Sequence, residues 1–364
     1  MSTTAADLLR GARAAAIDDT SLGGPGLGRA LAAAIDEAFK ATFEAAALPD
    51  DVALVALGSY ARCELCPGSD IDVMLLHESK SPPEAGALWY PLWDAGVVLG
   101  HSVRTRKQAL ALAETDLDAL TALLETRVVV GNAELVTNLA TRAVGLAHRR
   151  RSRLVTQLAG AADVRRDRPG PVAEMLEPNL KRGAGGLRDI QALAWAGLAV
   201  DGSGSRSGFD GLVALGYLQP EDPPRLEAAK ARLLSARVAL HRVTGTRTDV
   251  LALQDQDSVA ELVGASDADA LVRDLAASTH DVAWIAREAW PRLREPGPAG
   301  RVARRDRELA PDVVLRDGRV TLTAAAGPVD NGLVLRVAAA AADAGAPIER
   351  TTLAQLGRFD ASTW

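Results

Sequence analysis

Apolar positions along the chain set out its elements. Leu31, Ile35 and Phe39 recur at helical spacing within a stretch from Leu27 to Leu48, behind the breakers Gly23, Gly24, Pro25 and Gly26. Pro49-Asp50-Asp51 ends that pattern. Val52 to Leu57 is wholly apolar, which predicts a short buried strand. Gly58 closes it, and Pro67-Gly68-Ser69 is a turn signal. Asp70 to Leu76 reads as a second strand and Val97 to Arg104 as a third. Helical patterns are expected from about Lys107 to Leu124 and from Ala133 to Leu158.

The second half reads differently. Pro169 to Gly186 is rich in Pro and Gly and predicts a loop, and Leu187 to Leu198 opens a helix. Leu226, Leu233, Leu240 and Val243 fall on one face of a long helix, and a further helix is expected over roughly Ala268 to Trp290. Glu295 to Pro311 turns rich in Pro, Gly and Arg and reads as a linker. Val313 to Leu322 then looks like a hairpin turning at Asp317-Gly318. The expected organisation is an α/β (α+β) domain with a small mixed sheet over residues 1–150, an all-helical domain over 151–295, and a tail of linker, hairpin and short helices over 296–364.

Composition narrows the function classes. Of 364 residues, 48% are hydrophobic and 24% charged, normal for a chain that buries a core. The net charge of −6 argues against a general nucleic-acid binder. No apolar stretch approaches the ~20 residues of a membrane span, and the first residues show no basic region followed by an apolar run. Two cysteines suit a reducing compartment, so a cytoplasmic location is expected.

Asp70 and Asp72 stand two apart on a predicted strand, so both side chains face one way while Ile71 and Val73 face a core. Paired hard oxygen ligands suit Mg²⁺, or Mn²⁺, with water and substrate phosphate completing the shell. Gly58-Ser59 directly follows the preceding strand. A glycine there allows backbone N–H groups close to a phosphate, Ser59 adds a hydroxyl, and Arg62 is placed to neutralise phosphate charge. Two aspartates beside a turn are commonly only solvated. The combination is what is specific: apolar strand, Gly-Ser, ten intervening residues, Asp-x-Asp, second apolar strand.

A second stretch runs Glu177-Pro-Asn-Leu-Lys-Arg-Gly-Ala-Gly-Gly-Leu-Arg-Asp-Ile-Gln191. Its glycines, including Gly185 and Gly186, form a loop entering a helix N-terminus, where free N–H groups and the dipole favour an anion. Lys181 and Arg188 add positive charge. Asp189 is placed to bind a ribose hydroxyl or metal-bound water, or simply to complement the helix dipole.

The segment Gly58-Ser-Tyr-Ala-Arg-Cys-Glu-Leu-Cys-Pro-Gly-Ser-Asp-Ile-Asp72 resembles the signature of the DNA polymerase β-like nucleotidyltransferases, and more narrowly the GlnD-type PII uridylyltransferases. The second stretch is similar to the Lys-x-Gly-x-Gly-Gly-Leu-Arg-Asp segment of the same enzymes, with a related Gly-Gly-Ile-Arg-Glu segment in glutamine synthetase adenylyltransferases. Weaker likeness covers Leu92-Trp-Asp, Gly100-His-Ser-Val-Arg-Thr105, Leu124-Glu-Thr-Arg127 and Arg237-Val-Ala-Leu-His241. The resemblance implies a mixed sheet with helices mainly on one side. It also implies a metal-dependent transfer of UMP or AMP from UTP or ATP to a tyrosine of a PII signal protein. Asp70 and Asp72 would be catalytic and metal-binding. Gly58, Ser59, Arg62, Ser69, Lys181, Gly185, Gly186, Arg188 and Asp189 would bind nucleotide. Transfer to glutamine synthetase or another acceptor, and an inactive binding module, are the competing functions.

The chain departs from that pattern in places. Many such enzymes carry a third carboxylate on the next strand, but Val97 to Arg104 offers none; Asp94 and Glu125 are the substitutes at hand, and His101 is either a phosphate contact or simply packed. Cys63-Glu-Leu-Cys66 lacks the setting of a redox or zinc motif. His280-Asp281 reads as helix surface, and Arg232, Arg237, Arg242 and Arg247 read most simply as solvated faces, with a contact of a few of them to phosphate or an acidic partner as the alternative. In the resembled full-length family an HD domain and regulatory domains follow the transferase. Trp364 falls near where that domain would begin, so a natural short form or a truncated fragment is expected.

Overall fold

The computed structural model describes residues 4–79, 85–204, 207–295, 306–327 and 329–357. The chain divides into one unit over Met1–Glu295 and another over Pro296–Trp364. The first unit takes in both the sheet and the helical segment after residue 150, because they share one core.

The first unit opens with α1 (Ala5–Asp18), α2 (Gly24–Ala45), β1 (Val52–Ala56), the single-turn α3 (Gly58–Ala61), β2 (Ile71–His77), α4 (Gly86–Asp94) and β3 (Leu99–Thr105). Then come α5 (Arg106–Ala113), α6 (Leu117–Leu123), β4 (Arg127–Gly131), α7 (Ala133–Arg149) and α8 (Arg151–Asp167). The helical part adds α9 (Leu187–Asp201), α10 (Gly208–Ala214), α11 (Asp222–Thr244), α12 (Leu253–Val263) and α13 (Ala268–Arg294). No helix among the described residues is long and apolar enough to cross a membrane.

Several boundaries moved for local reasons. Helix α2 starts at Gly24 because Pro25 sits in its first turn, where proline needs no N–H partner. Helix α1, which the apolar pattern did not reveal, is capped by Thr4 and Asp7 in a reciprocal box. The predicted helix over Lys107 to Leu124 is two helices, the second restarted by the Asp116 side chain accepting from Ala119 N–H. Helices α3, α4, α10 and α12 and strand β4 are further additions.

Strand order in the sheet is β3-β2-β1-β4. Strand β1 runs antiparallel to β2 and β4, and β2 runs parallel to β3. Helices cover both faces, not mainly one. On one face Val52, Leu54, Ile71, Val73 and Leu75 pack with α1, α2 and α4. On the other, Ala53, Val55, Met74 and Leu76 join the core of α5 to α9, α11 and α13. The unbroken apolar run of β1 is the cause: every residue of that strand is buried. Each fully buried leucine contributes about 1.5–3 kcal/mol.

The second unit holds β5 (Arg307–Ala310), β6 (Val313–Arg316), β7 (Arg319–Leu322), α14 (Asn331–Ala344) and α15 (Arg350–Leu356). The β6–β7 hairpin turns at Asp317 and Gly318, both at positive φ. Arg307–Ala310, expected within the linker, adds a third strand beside it. Residues 296–305 of that linker and the terminal Trp364 lie outside the described residues. Val313, Val320, Leu333 and Val337 form this unit's own core.

Candidate active site

Alternation along β2 places the carboxylates. Ile71, Val73 and Leu75 enter the core under α2 and α4, so Asp72 shares the opposite face with Met74 and Leu76, and Asp70 precedes the strand with the same parity. Leu57 N–H donates to the Asp72 carbonyl at 2.9 Å, which ties the β1–α3 turn to the strand. Gly58 follows with φ +54°, a conformation costly for any other residue, and a Cβ there would point toward Asp72 Oδ2 at 3.8 Å. Gly58 and Asp72 are therefore neighbours. The turn is anchored by Tyr60, wholly buried, whose hydroxyl donates to Asp36 Oδ1 at 2.5 Å. Arg127 pairs with the same aspartate at 2.8 Å and lies over the Tyr60 ring.

Ser59, Arg62, Ser69, Asp70, Asp72 and Lys181 all line one cleft of about 300 Å³. Residues from the helical part close it: Leu187 and Gln191 of α9, Leu234 and Arg237 of α11, and Arg247 and Asp249 beyond α11. Burial and then the charge of Asp70 push the Asp72 carboxyl up from the usual range, opposed by the Lys181 ammonium. Burial, then Arg237, pulls Lys181 down. Among the described residues no carboxylate forms an ion pair with Lys181.

The turn before Asp70 is fixed from the helical side. Gly68 N–H donates to His241 Nδ1 at 3.2 Å, and a Cβ on Gly68 would stand 2.9 Å from that of Arg247. His241 is buried, and burial with the nearby Arg237 cation lowers its pKa to about 4, so it is neutral at physiological pH. Arg237 donates to Asp249 Oδ1 at 2.5 Å and to Cys66 Sγ at 3.2 Å. Arg247 Nη1 donates to Asp70 Oδ1 at 2.7 Å. Of the arginines read as solvated faces, then, Arg237 and Arg247 belong to the cleft. Arg242 donates to the Ile17 and Asp19 carbonyls, and Arg232 is half-exposed beside Asp274, while Arg247 keeps an exposed side chain at the cleft rim. The sequence carried one hint, since Arg237 and His241 fell within a stretch of family likeness.

The second motif does not form an anion-binding helix N-terminus. Its amides are already used: Gly185 N–H donates to Asp189 Oδ2, Gly186 to Gly183 O, Leu187 to Leu180 O and Arg188 to Lys181 O. The glycines are there for close packing, since a Cβ on Gly185 would stand 2.3 Å from Thr279 O and one on Gly186 2.8 Å from Leu180 O. Asp189 is buried and paired with Arg165 at 2.5 Å, so it braces the loop instead of facing a ribose or a metal-bound water. Arg188 is set back, donating to Gln191 Oε1 at 3.1 Å and lying over the Trp195 ring. The motif's contributions to the cleft are Lys181, Leu187 and Gln191.

Other expectations shift as well. Arg62 lines the cleft, but it is held between Glu64 and Glu125, which occupies Glu125 and removes it as a third carboxylate. Asp94 ends α4, outside the cleft lining. On β3 the residue opposite Asp72 is Gly100, and a Cβ there would stand 2.3 Å from Asp72 Oδ1. His101 has the other parity and packs between Trp89 and Trp93. Cys63 and Cys66 are both free thiols, and burial raises the pKa of Cys66. His280 is exposed on α13.

Paired carboxylates on one face, repelling each other and facing an unpaired ammonium, match what a divalent cation with phosphate needs. Among the described residues no cluster of three or more His, Cys, Asp or Glu could hold a metal. Any bound Mg²⁺ would therefore rely on the aspartate pair, water and substrate oxygens, a shell this ion accepts.

Comparison with known proteins bears on the family of the chain. Residues 153–290 match the family model described as GlnD PII-uridylyltransferase. The chain is 36% identical over 367 aligned positions, 95% of its length, to a bifunctional uridylyltransferase/uridylyl-removing enzyme of Streptomyces coelicolor, covering 42% of that protein. It is 38% identical over 321 positions to the Mycobacterium tuberculosis enzyme of the same name, across 84% of this chain and 38% of the relative. The Corynebacterium glutamicum enzyme of that name is 35% identical across 85% of this chain and 43% of the relative. The chain thus spans about two fifths of the length of these curated relatives. It carries, over residues 153–290, the domain described as GlnD PII-uridylyltransferase, and over 84–95% of its length it is similar to these uridylyltransferase/uridylyl-removing enzymes.

Proposed function

We propose that this chain transfers UMP from UTP to a tyrosine hydroxyl of a PII-type signal protein and releases pyrophosphate. The observation that carries this reading is that Asp70, just before β2, and Asp72, with the same parity on it, line one cleft with the ammonium of Lys181. The names of the relatives favour uridylyl over adenylyl transfer.

The residues divide the work by charge. Asp70 and Asp72 would hold Mg²⁺, or Mn²⁺, which when bound stabilises the entering and leaving oxygens. Lys181 offsets the triphosphate charge without first surrendering a partner. Ser59 and the backbone beside Gly58 approach the phosphates from the β1–α3 turn. Arg247, bonded to Asp70 and lining the same cleft, is the cationic side chain placed to face the departing pyrophosphate. The acceptor oxygen attacks the α-phosphorus, the bridging bond to the β-phosphate breaks, and the hydroxyl proton leaves to solvent. Catalysis is positioning and charge stabilisation throughout.

The test is incubation with α-labelled UTP or ATP, Mg²⁺ and a PII-type protein. Label from UTP on an acceptor tyrosine, with one pyrophosphate released per label, is the expected result. Label from ATP alone, or none from either, would contradict the reading.

A further inference from the structure

The lining of the cleft is not uniform in chemistry. Nearly all of it is polar, but two buried leucines, Leu187 of α9 and Leu234 of α11, also line it. Gln191 lies four residues after Leu187 on α9 and so shares its face. Its side chain is largely buried yet reaches the cleft.

The orientation of that amide is fixed. Arg188 Nη1 donates to Gln191 Oε1 at 3.1 Å, and a guanidinium can only donate. Arg188 is itself held over the Trp195 ring, 5.6 Å from its centroid. The amide cannot flip without placing two donors against each other. Its Nε2 therefore carries the free hydrogens, and among the described residues it donates to no protein acceptor. The other carboxylates of the cleft are committed, Glu64 to Arg62 and Asp249 to Arg237. In a lining otherwise made of committed carboxylates and cations, Gln191 thus presents a free neutral donor, with Leu187 and Leu234 as the apolar side chains of the same cleft.

We propose that Gln191 reads the nucleobase, its Nε2 donating to a uracil carbonyl held between Leu187 and Leu234. This rests on the nucleotidyl-transfer reading of the cleft and assigns its base specificity. A donor matches the O4 of uracil and meets an amino group, another donor, at the same position of cytosine. The two pyrimidines are equal in size, so the comparison isolates hydrogen bonding from fit. Arg188 is the positioning residue that holds the amide in this sense.

The experiment is calorimetric binding of the non-hydrolysable α,β-methylene analogues of UTP and CTP, with Mg²⁺, to the wild-type chain and to Gln191→Glu and Gln191→Leu. Wild type should favour the uridine analogue at least ~10-fold. Gln191→Glu keeps an acceptor for Arg188 and removes the donor, so the preference should reverse toward cytidine. Gln191→Leu, which needs no polar partner, should bind both about equally. Circular dichroism checks that each variant is folded. Equal affinity of wild type for both analogues, or a uridine preference retained in either variant, overturns the assignment while leaving the transfer site intact. Equal weakening of both nucleotides in Gln191→Glu, with the ratio kept, would mark a structural role only and also overturns it. Failure of the wild type to bind any triphosphate would instead remove the transfer reading itself.

Discussion

Gly100 stands directly opposite Asp72 on the neighbouring parallel strand, so close that a Cβ would lie 2.3 Å from the carboxylate oxygen. The edge strand yields space to the carboxylate at the position where a third acidic side chain was sought. Asp72 must shift if that space is filled. Gly100→Ala should therefore lower transfer by about 10²-fold, since misplacement by an ångström costs that much, while the far-ultraviolet circular dichroism stays native. Steady-state kinetics with UTP would show it mainly in kcat.

Asp72 should be a functional residue held at a cost to stability. Burial and Asp70 raise its carboxyl pKa, so the folded chain holds that proton more tightly than the unfolded one. The contribution is favourable at low pH and is lost as pH rises through the raised value. At pH 7 Asp72→Asn should consequently melt higher than wild type. Added Mg²⁺ should raise the wild-type melting temperature and leave that of Asp72→Asn unchanged, as differential scanning fluorimetry would report.

His241 should make the fold sensitive to mild acid. Its pKa is lowered to about 4 by burial and by Arg237, so the unfolded chain takes a proton near pH 6.5 that the folded chain refuses. Stability is full above pH 6.5 and falls as pH drops toward 4, by on the order of 3 kcal/mol. His241→Asn retains an acceptor for Gly68 N–H and cannot titrate. Denaturant melts of the two proteins across this window should converge as pH falls; parallel pH profiles would show that His241 is not the source.

Asp189 should matter for folding and not for nucleotide binding. It is bonded to Arg165 and to Gly185 N–H inside the protein. Asp189→Asn leaves the largely buried Arg165 guanidinium without its counter-charge, which costs up to about 3–5 kcal/mol. Urea melts should register that loss, while KM for UTP in the folded fraction should stay within about two-fold. A large rise in KM with stability unchanged would return Asp189 to the ligand.

The Asp70–Asp72 pair and Gly58 were legible because their signals are local. An apolar strand, a breaker and a two-residue alternation all lie within Val52 to Leu76. Arg247 and Asp249 were not legible, because they reach the cleft across 177 residues in the case of Arg247 and Asp70. No periodicity marks a charged residue as facing a distant strand. The second motif misled for a different reason. A glycine-rich turn entering a helix looks the same whether its amides are free or taken, and only the positions of Leu180 O and Lys181 O reveal which. Strand β4 went unseen because five residues from Arg127 to Gly131 are too few to declare a period. Helices on both sheet faces were already implied by the all-apolar β1, against the one-sided cover that the resemblance suggested.

The central claim is that Asp70 and Asp72 carry nucleotidyl transfer. Its most direct measurement is the initial rate of label transfer from α-labelled UTP to a PII-type protein, with Mg²⁺, by the wild-type chain and by Asp70→Asn and Asp72→Asn. Each substitution should lower the rate by at least ~10²-fold with the fold intact. A rate near wild type in either variant would contradict the account.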